Sequence, residues 1–162
     1  MNYDNIPLEL RELKQWAVFK SYPDNDTGKH KKTIISPADS RFAKSDSPET
    51  WEGFNSAWYY CRQNNYHGLV FALTGGVVFI DLDNAVDKDS GEIISPEAKR
   101  LLELLPDSYA EQSVSGRGLH ILCKGNLPED AKRRNDEKGI EMYDNRRFRM
   151  NTASLFLIVT TL

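Results

Sequence analysis

Two aspartates, Asp81 and Asp83, end the apolar segment VVFIDLD at residues 77–83. Alternate side chains of a β-strand share a face, so the two carboxylates point to the same side. Neighbouring carboxylates repel each other and lose hydration, and a divalent cation that prefers oxygen ligands, Mg²⁺ or Mn²⁺, relieves that repulsion. The pattern predicts a metal site at the end of a buried strand. A solvated strand end leading into a turn is the alternative explanation.

Two further polar residues interrupt apolar strand patterns in the same way. His120 and Glu141 are each flanked by apolar residues, so each points away from the apolar face of its strand. If these strands join the strand of Asp81 in one sheet, two aspartates, a glutamate and a histidine meet on one surface. Such an acidic triad can bind two divalent ions about 4 Å apart, as in in-line phosphoryl transfer. A lone strand histidine is also often structural.

A short glycine-rich link precedes His120. Glycines let backbone N–H groups approach an anion closely, and a nest of such groups binds phosphate. A positively charged side chain in the link, together with His120, would contact triphosphate oxygens. Most Gly-x-Gly pairs are ordinary turns, which is the alternative explanation. The candidate phosphate-binding residues are Ser115, Gly116, Arg117 and Gly118.

The composition is that of an ordinary globular protein. With 162 residues, 40% hydrophobic and 28% charged, the sequence predicts a single domain over residues 1–162. A net charge of -3 argues against a generally basic nucleic-acid coat protein. It allows local basic patches, and Lys31 and Lys32 are candidates for contacts with a template backbone.

The cysteines and the hydropathy pattern predict a cytoplasmic protein. Cys61 and Cys123 lie in apolar patterns and are interpreted as buried free thiols in a reducing compartment. The N-terminus shows no secretory signal, and no apolar run approaches the roughly 20 residues that span a bilayer. No membrane partner is expected.

The periodicities predict helices interleaved with strands. Helices are expected over residues 6–14, from Ser47 through Cys61, and from Ser95 to Pro106. Strands are expected at 16–19, 109–114, 119–123 and 139–143, with a β-hairpin over 69–83 and a loop or hairpin over 22–40. The elements show no strict βαβ repeat. The predicted fold class is therefore α+β, a mostly antiparallel sheet flanked by helices.

Three segments in order resemble a known family. The segments "FIDLD", "SVSGRGLHI" and "IEMYDNRRF" are similar to the three motifs of the archaeo-eukaryotic-type primases, in particular the primase-polymerase domain of phage and plasmid replication proteins. The resemblance extends over residues 5–148. It implies an RRM-like sheet that presents an acidic triad, and an enzyme encoded by a phage or plasmid in a bacterial cell.

The resemblance also implies roles for individual residues. Asp81, Asp83 and Glu141 correspond to the metal-binding acids, and His120 to the histidine at the phosphates of the incoming nucleotide. The loop residues Ser115, Gly116, Arg117 and Gly118 correspond to the segment beside the triphosphate. Arg146 and Arg147 follow the third motif and are either a phosphate or template contact or a solvated basic pair.

The chain departs from that family at its end. Ala153 stands where the family has glycine, and the apolar segment 154–162 follows. This end is interpreted as that of an excised domain, a small stand-alone primase or a truncated product. Because an exposed apolar tail favours aggregation, it is expected to pair as a sheet strand or to pack on a partner.

Three functional hypotheses use these residues. The first is a nucleotidyltransferase that makes or extends primers from nucleoside triphosphates on single-stranded DNA, with two Mg²⁺ or Mn²⁺ ions and a helicase or other replication protein as partner. The second is a catalytically silent primase-fold protein that binds nucleic acid or another protein. The third is a two-metal nuclease.

Overall fold

The computed structural model describes residues 6–24, 30–113, 115–150 and 157–159. Within them the chain forms three α-helices, ten β-strands and a short 3-10 turn. The helices are α1 (Leu8–Arg11), α2 (Phe54–Gln63) and α3 (Pro96–Leu104), and the 3-10 turn is Pro48–Thr50. The strands are β1 (Trp16–Pro23), β2 (His30–Ile35), β3 (Gly68–Leu73), β4 (Val77–Leu82), β5 (Tyr109–Gln112), β6 (Leu119–Lys124), β7 (Arg134–Asn135), β8 (Ile140–Tyr143), β9 (Arg147–Met150) and β10 (Leu157–Val159).

The chain divides into two compact units, and each contains one sheet. One unit holds residues 8–72 and 146–151, with a four-stranded sheet in the order β2-β1-β3-β9. The other holds residues 1–7, 73–145 and 152–162, with a six-stranded sheet in the order β10-β5-β6-β4-β8-β7. The predicted α+β class with mostly antiparallel sheets is confirmed. The prediction of one domain over residues 1–162 stays a prediction.

Aromatic packing organises the four-stranded unit. The ring of Trp16 on β1 makes edge contacts with Phe54 at 5.1 Å and Phe71 at 5.0 Å between centroids, and its indole N–H donates to the carbonyl of Leu10 at 3.0 Å. Such edge-to-face pairs stabilise a core beyond their buried area. β1 and β2 pair antiparallel in register from Val18–Ile35 to Pro23–His30. The strand expected at 16–19 thus extends to Pro23 and pairs with part of the segment 22–40 that was expected to be a loop or hairpin.

An apolar core fills one face of the six-stranded sheet. Ile80 and Leu82 of β4, with Ile121 of β6 and Ala110 of β5, are buried in one cluster. Ala98 of α3 is buried in that cluster, with Leu101 and other residues of the helix packed against it. Helix α3 begins as predicted, because the Ser95 hydroxyl accepts a hydrogen bond from the Ala98 N–H at 3.2 Å and Pro96 occupies the first turn.

Three sequence-based predictions of local structure were wrong. β3 and β4 were expected to form a β-hairpin but belong to different sheets, because each strand pairs with partners distant in sequence. The helix expected from Ser47 starts only at Phe54, after the 3-10 turn, and the Ser47 side chain makes no cap hydrogen bond. The first helix spans Leu8–Arg11 and not residues 6–14.

The apolar end of the chain contributes a strand, as predicted. Within residues 157–159, Ile158 lies opposite Ala110, and β10 pairs antiparallel with β5 at the edge of the six-stranded sheet. The remaining residues of segment 154–162, and Ala153, lie outside the described residues. In the described part of the chain, none of the helices has the length and hydropathy that crossing a membrane requires.

Candidate active site

A row of charged and polar side chains crosses five strands of the six-stranded sheet. Glu111 of β5 lies opposite His120 of β6, which lies opposite Asp81 of β4. Asp81 lies opposite Glu141 of β8, which lies opposite Arg134 of β7. Directly opposite residues share a face with Cβ atoms about 5 Å apart. We call these five residues the charged row.

Asp81 stands at the centre of the charged row. Its Oδ1 lies 3.6 Å from Nε2 of His120, and its other cross-strand neighbour is the carboxylate of Glu141. Like charges directly opposite each other destabilise a sheet. A sheet that nevertheless places two acids side by side on neighbouring strands is a candidate for cation binding.

The β5 end of the charged row is buried. Glu111 is 2% exposed, and its carboxylate accepts a hydrogen bond from the Tyr109 hydroxyl at 2.9 Å and lies 3.2 Å from His120 Nδ1. Burial, followed by the charge of Glu111 and the hydrogen bond to it, raises the pKa of Tyr109 well above its usual range. Tyr109 is therefore a neutral phenol that donates to Glu111.

The β7 end of the charged row is open to solvent. Arg134 Nη1 lies 3.3 Å from Glu141 Oε1, and the Tyr143 hydroxyl donates to Glu141 Oε2 at 3.0 Å. The hydrogen bond and charge of Asp136, then the charge of Glu141, raise the pKa of Arg134. Both oxygens of Glu141 therefore already face donors of the protein.

Asp83 lies at the end of the sheet beside the glycine-rich link. It follows the last residue of β4, and its N–H donates to the carbonyl of Gly139 at 2.8 Å, so pairing with the β8 segment continues one residue further. A Cβ on Gly139 would lie 3.1 Å from Asp83 Cβ, and one on Gly118 would lie 3.2 Å from the Leu82 carbonyl. Asp83 and the link thus meet at the same end of β4.

The amides of the glycine-rich link bind within the link. The N–H groups of Gly116 and Gly118 donate to the carbonyl and the hydroxyl of Ser113, both at 2.9 Å. The Arg117 N–H donates to Ser115 Oγ at 3.3 Å. A phosphate held by these amides would have to displace those bonds. The exposed side chain of Arg117 is the cation that the link offers directly.

Lys88 is a second cation at this link and was not among the residues predicted from the sequence. A Cβ on Gly116 would meet Lys88 Cγ at 3.2 Å, so the lysine stem packs over this glycine, which has a φ of +75°. Lys88 and Arg117 line a hollow of about 140 Å³ that also contains Asp87. Hydrogen bonds from Ser90, then from Asp89, and the charge of Arg117 lower the pKa of Asp87.

A larger hollow of about 480 Å³ borders the hairpin of β7 and β8. Three consecutive cations, Lys132, Arg133 and Arg134, line it, with Glu137 as the acid among its lining residues. Arg133 Nη2 lies 3.6 Å from Asp144 Oδ1. Clustered cations of this kind suit a phosphate backbone.

Asp83 and the two central acids of the charged row form a donor set that fits a hard cation, but Asp81 and Glu141 already face other groups of the protein. Asp81, Asp83 and Glu141 supply the oxygen ligands that Mg²⁺ and Mn²⁺ prefer. Among the residues that the structure describes, no three His, Cys, Asp or Glu side chains are grouped as a metal site. Ion binding by Glu141 would therefore require an oxygen of that carboxylate to leave Arg134 or the Tyr143 hydroxyl.

The structure brings some of the predicted residues together in one compact unit, and the other predicted residues belong to the second unit. Asp81, His120 and Glu141 share a face as strand parity predicts, with Asp83 and the link 115–118 at one end. Arg146 and Arg147 are exposed residues of the other compact unit. In that unit Lys31 lies 2.8 Å from Asp24, and Lys32, whose pKa is lowered by burial, lies over the Phe19 ring. The functional roles of these residues stay predictions.

Sequence reasoning missed Glu111 and Arg134, although two short turns contain the signal. The turn at 113–118 is closed by the Ser113 N–H bonding to the Gly118 carbonyl at 2.9 Å, which sets Glu111 opposite His120. The turn at 136–139 sets Arg134 opposite Glu141 in the same way. Counting outward from each turn would have found both residues.

A comparison with known proteins relates this chain to primase-polymerases. The chain is 31% identical over 152 residues to a protein of Nitratiruptor phage NrS-1 described as a DNA primase-polymerase. The match covers 91% of this chain and 20% of the phage protein, so the chain spans about one fifth of that relative's length. No protein-family model matches the chain. The similarity supports a relationship to primase-polymerases.

Proposed function

We propose that the chain is a metal-dependent nucleotidyltransferase of the primase-polymerase kind. It would make or extend primers from nucleoside triphosphates on a single-stranded DNA template. The observation that supports this most is the position of Asp81, directly opposite His120 on one side and Glu141 on the other. The similarity to the phage protein described as a DNA primase-polymerase supports the same activity.

In this proposal the carboxylates hold two Mg²⁺ or Mn²⁺ ions. Asp81, Asp83 and Glu141 are the ligands, and bound ions supply activation of the primer hydroxyl and stabilisation of the leaving pyrophosphate. Glu141 exchanges its contact with Arg134 for the cation. Because Arg134 is largely exposed, this exchange costs little free energy.

The remaining residues would bind and orient the substrates. His120 and Arg117 contact the triphosphate, and Lys88 adds positive charge beside the link. The three cations of the larger hollow, beginning at Lys132, contact the template backbone. Template binding of this kind weakens with salt, and Lys132→Ala is expected to reduce the salt slope by about one.

A primer-extension assay tests the proposal. With Mn²⁺ or Mg²⁺, a primed single-stranded template and labelled nucleotides, the wild-type chain is expected to incorporate nucleotide. Asp81→Ala/Asp83→Ala should lose at least about a hundredfold in rate, as losses of transition-state charge stabilisation do. The matched control is Glu103→Ala/Asp107→Ala, which removes the same charge from exposed positions at the end of α3. A double aspartate variant with wild-type rate would overturn the assigned site.

A second candidate function is nucleic-acid binding without catalysis. It is favoured by the nitrogen partners that Asp81 and Glu141 already have in the described structure. A wild-type chain that binds single-stranded DNA in a salt-dependent manner but incorporates no nucleotide with either metal would establish this alternative. Strand cleavage without incorporation would instead indicate a nuclease.

A further inference from the structure

Glu111 is a buried acid to which the proposed function gives no role. It is 2% exposed, whereas glutamate is almost never fully buried unless it is paired. Burying a carboxylate is unfavourable unless hydrogen bonds replace its hydration. Glu111 therefore either stabilises the fold through its hydrogen bonds or orients a neighbouring side chain.

Two different partners hold the two oxygens of Glu111. The neutral Tyr109 phenol donates to Oε2 at 2.9 Å, and His120 Nδ1 lies 3.2 Å from Oε1. The carboxylate is thereby oriented from one side by its own strand and presents its other oxygen to the histidine on β6. This geometry matches a carboxylate that fixes the ring of a functional histidine.

The two nitrogens of the His120 ring face different partners, Glu111 on one side and Asp81 on the other. Nδ1 faces Glu111, the ring packs against Phe79 at 5.1 Å between centroids, and Nε2 lies 3.6 Å from Asp81 Oδ1. A ring that donates from Nδ1 to Glu111 cannot turn over without losing that bond. Nε2 is therefore kept on the side of the predicted metal ligands.

We propose that Glu111 is a positioning residue that acts through His120. It orients the imidazole so that Nε2 meets a phosphate oxygen of the incoming nucleoside triphosphate. The proposal rests on the nucleotidyltransferase function, and it assigns to Glu111 a part in nucleotide binding and none in template binding.

Kinetics in two backgrounds test this role. Glu111→Ala is expected to raise the KM for nucleotide about tenfold or more, as loss of such supporting contacts does, and to leave the template KM within about twofold. Glu111→Gln keeps a hydrogen-bonding group beside His120 and should restore much of the loss. When His120→Ala is already present, Glu111→Ala should change the rate less than about twofold, because the two residues act as a unit.

A structural role would give a different pattern. Equal losses in the wild-type and His120→Ala backgrounds, or equal increases in both KM values, would overturn the proposal. If Glu111→Ala fails to fold, Glu111→Leu in the two backgrounds makes the same comparison, because leucine fills the buried position without a hydrogen-bonding group. Melting curves are recorded for every variant.

A spectroscopic test does not require activity. The chain has 3 histidines, and the Nδ1 of His67 accepts a hydrogen bond from the Ser21 N–H at 3.2 Å, so His67 is an internal reference protonated on Nε2. In protein labelled with ¹⁵N-histidine, His120 should show a slowly exchanging proton on Nδ1. The signal of this Nδ1 proton should be absent from Glu111→Ala and His120→Ala. Its absence from the wild type would overturn the proposal.

The two tests separate two failures. If the wild-type chain shows the protected Nδ1 proton but incorporates no nucleotide, the nucleotidyltransferase function is overturned. The hydrogen bond by which Glu111 orients His120 is then still supported. A wild-type chain that incorporates nucleotide but lacks the proton overturns the role of Glu111 and leaves the function standing.

Discussion

The two faces of the six-stranded sheet are built from the same strands but differ in which substitutions they tolerate. On one face Ile80, Ile121 and Ala110 pack with α3 in an apolar cluster. On the other face the charged row joins residues whose partners lie directly across the strands, such as Asp81 between His120 and Glu141. An apolar core tolerates exchanges that keep its volume, whereas a charged row works only in one register, because a slip of one residue turns every side chain over.

Because of this difference, substitutions of two adjacent residues are expected to affect different properties: one the stability of the fold, the other the activity. Ile80 is 3% exposed on the apolar face, and Asp81 follows it on the charged row with 29% of its side chain exposed. Ile80→Ala should lower the free energy of unfolding by about 2–5 kcal/mol because it leaves a cavity. Asp81→Ala should change stability by no more than about 1 kcal/mol and abolish nucleotide incorporation.

Melting curves and primer extension on the same preparations make the comparison. Ile80→Ala protein that remains folded at the assay temperature should keep near wild-type incorporation. If Asp81→Ala were the more destabilising substitution, or Ile80→Ala the less active one at equal folded fraction, the assignment of the two faces would be wrong.

A smaller effect is expected from metal ions on stability. Ions that bind the carboxylates of Asp81, Asp83 and Glu141 relieve their mutual repulsion and bind only the folded chain. At 10 to 100 times the dissociation constant, Mn²⁺ or Mg²⁺ should raise Tm by about 2–10 °C for a chain of this size. Asp83→Ala should lose at least about half of that shift, and Asp107→Ala should keep all of it. An equal shift in wild type and Asp83→Ala would contradict the site.

The smallest effect concerns the solvent-exposed end of the charged row. Because Arg134 competes with a cation for Glu141, Arg134→Ala should lower the Mn²⁺ concentration at half of the thermal shift by up to about fivefold, the value of an exposed ion pair. Lys138→Ala is the matched control, since it removes a charge from the same turn but pairs with Glu97 at 3.3 Å. A higher half-point in Arg134→Ala would show that the arginine assists binding.

Alternation along single strands was readable from the sequence. Asp81, His120 and Glu141 could be assigned to the polar side of their strands because the residues flanking each are apolar, and the registers place all three on one face. The start of α3 was readable for an equally local reason, since Ser95 and Pro96 act within one turn.

Sheet membership was not readable in this way. The segment 69–83 has two apolar runs joined by Thr74-Gly75-Gly76, a pattern that also fits a β-hairpin. β3 pairs with β1 and β4 pairs with β6 and β8, so the two runs enter different sheets. A strand buried on both faces, as β3 is, carries no alternation that would indicate its partners.

Local chemistry therefore settled which side of a strand a polar residue occupies and where α3 begins, because these properties depend on neighbours a few positions away. It did not settle the second helix, since Ser47 is followed by proline as Ser95 is but makes no cap hydrogen bond. The folded chain fixed the closing residues of the two short turns, and these set Glu111 opposite His120 and Arg134 opposite Glu141. The residues of the charged row come from different strands, so their proximity depends on how those strands pair. The composition of the row follows from the registers of four strand pairs, and a slip of one residue in any of them would turn the side chains of that strand to the other face.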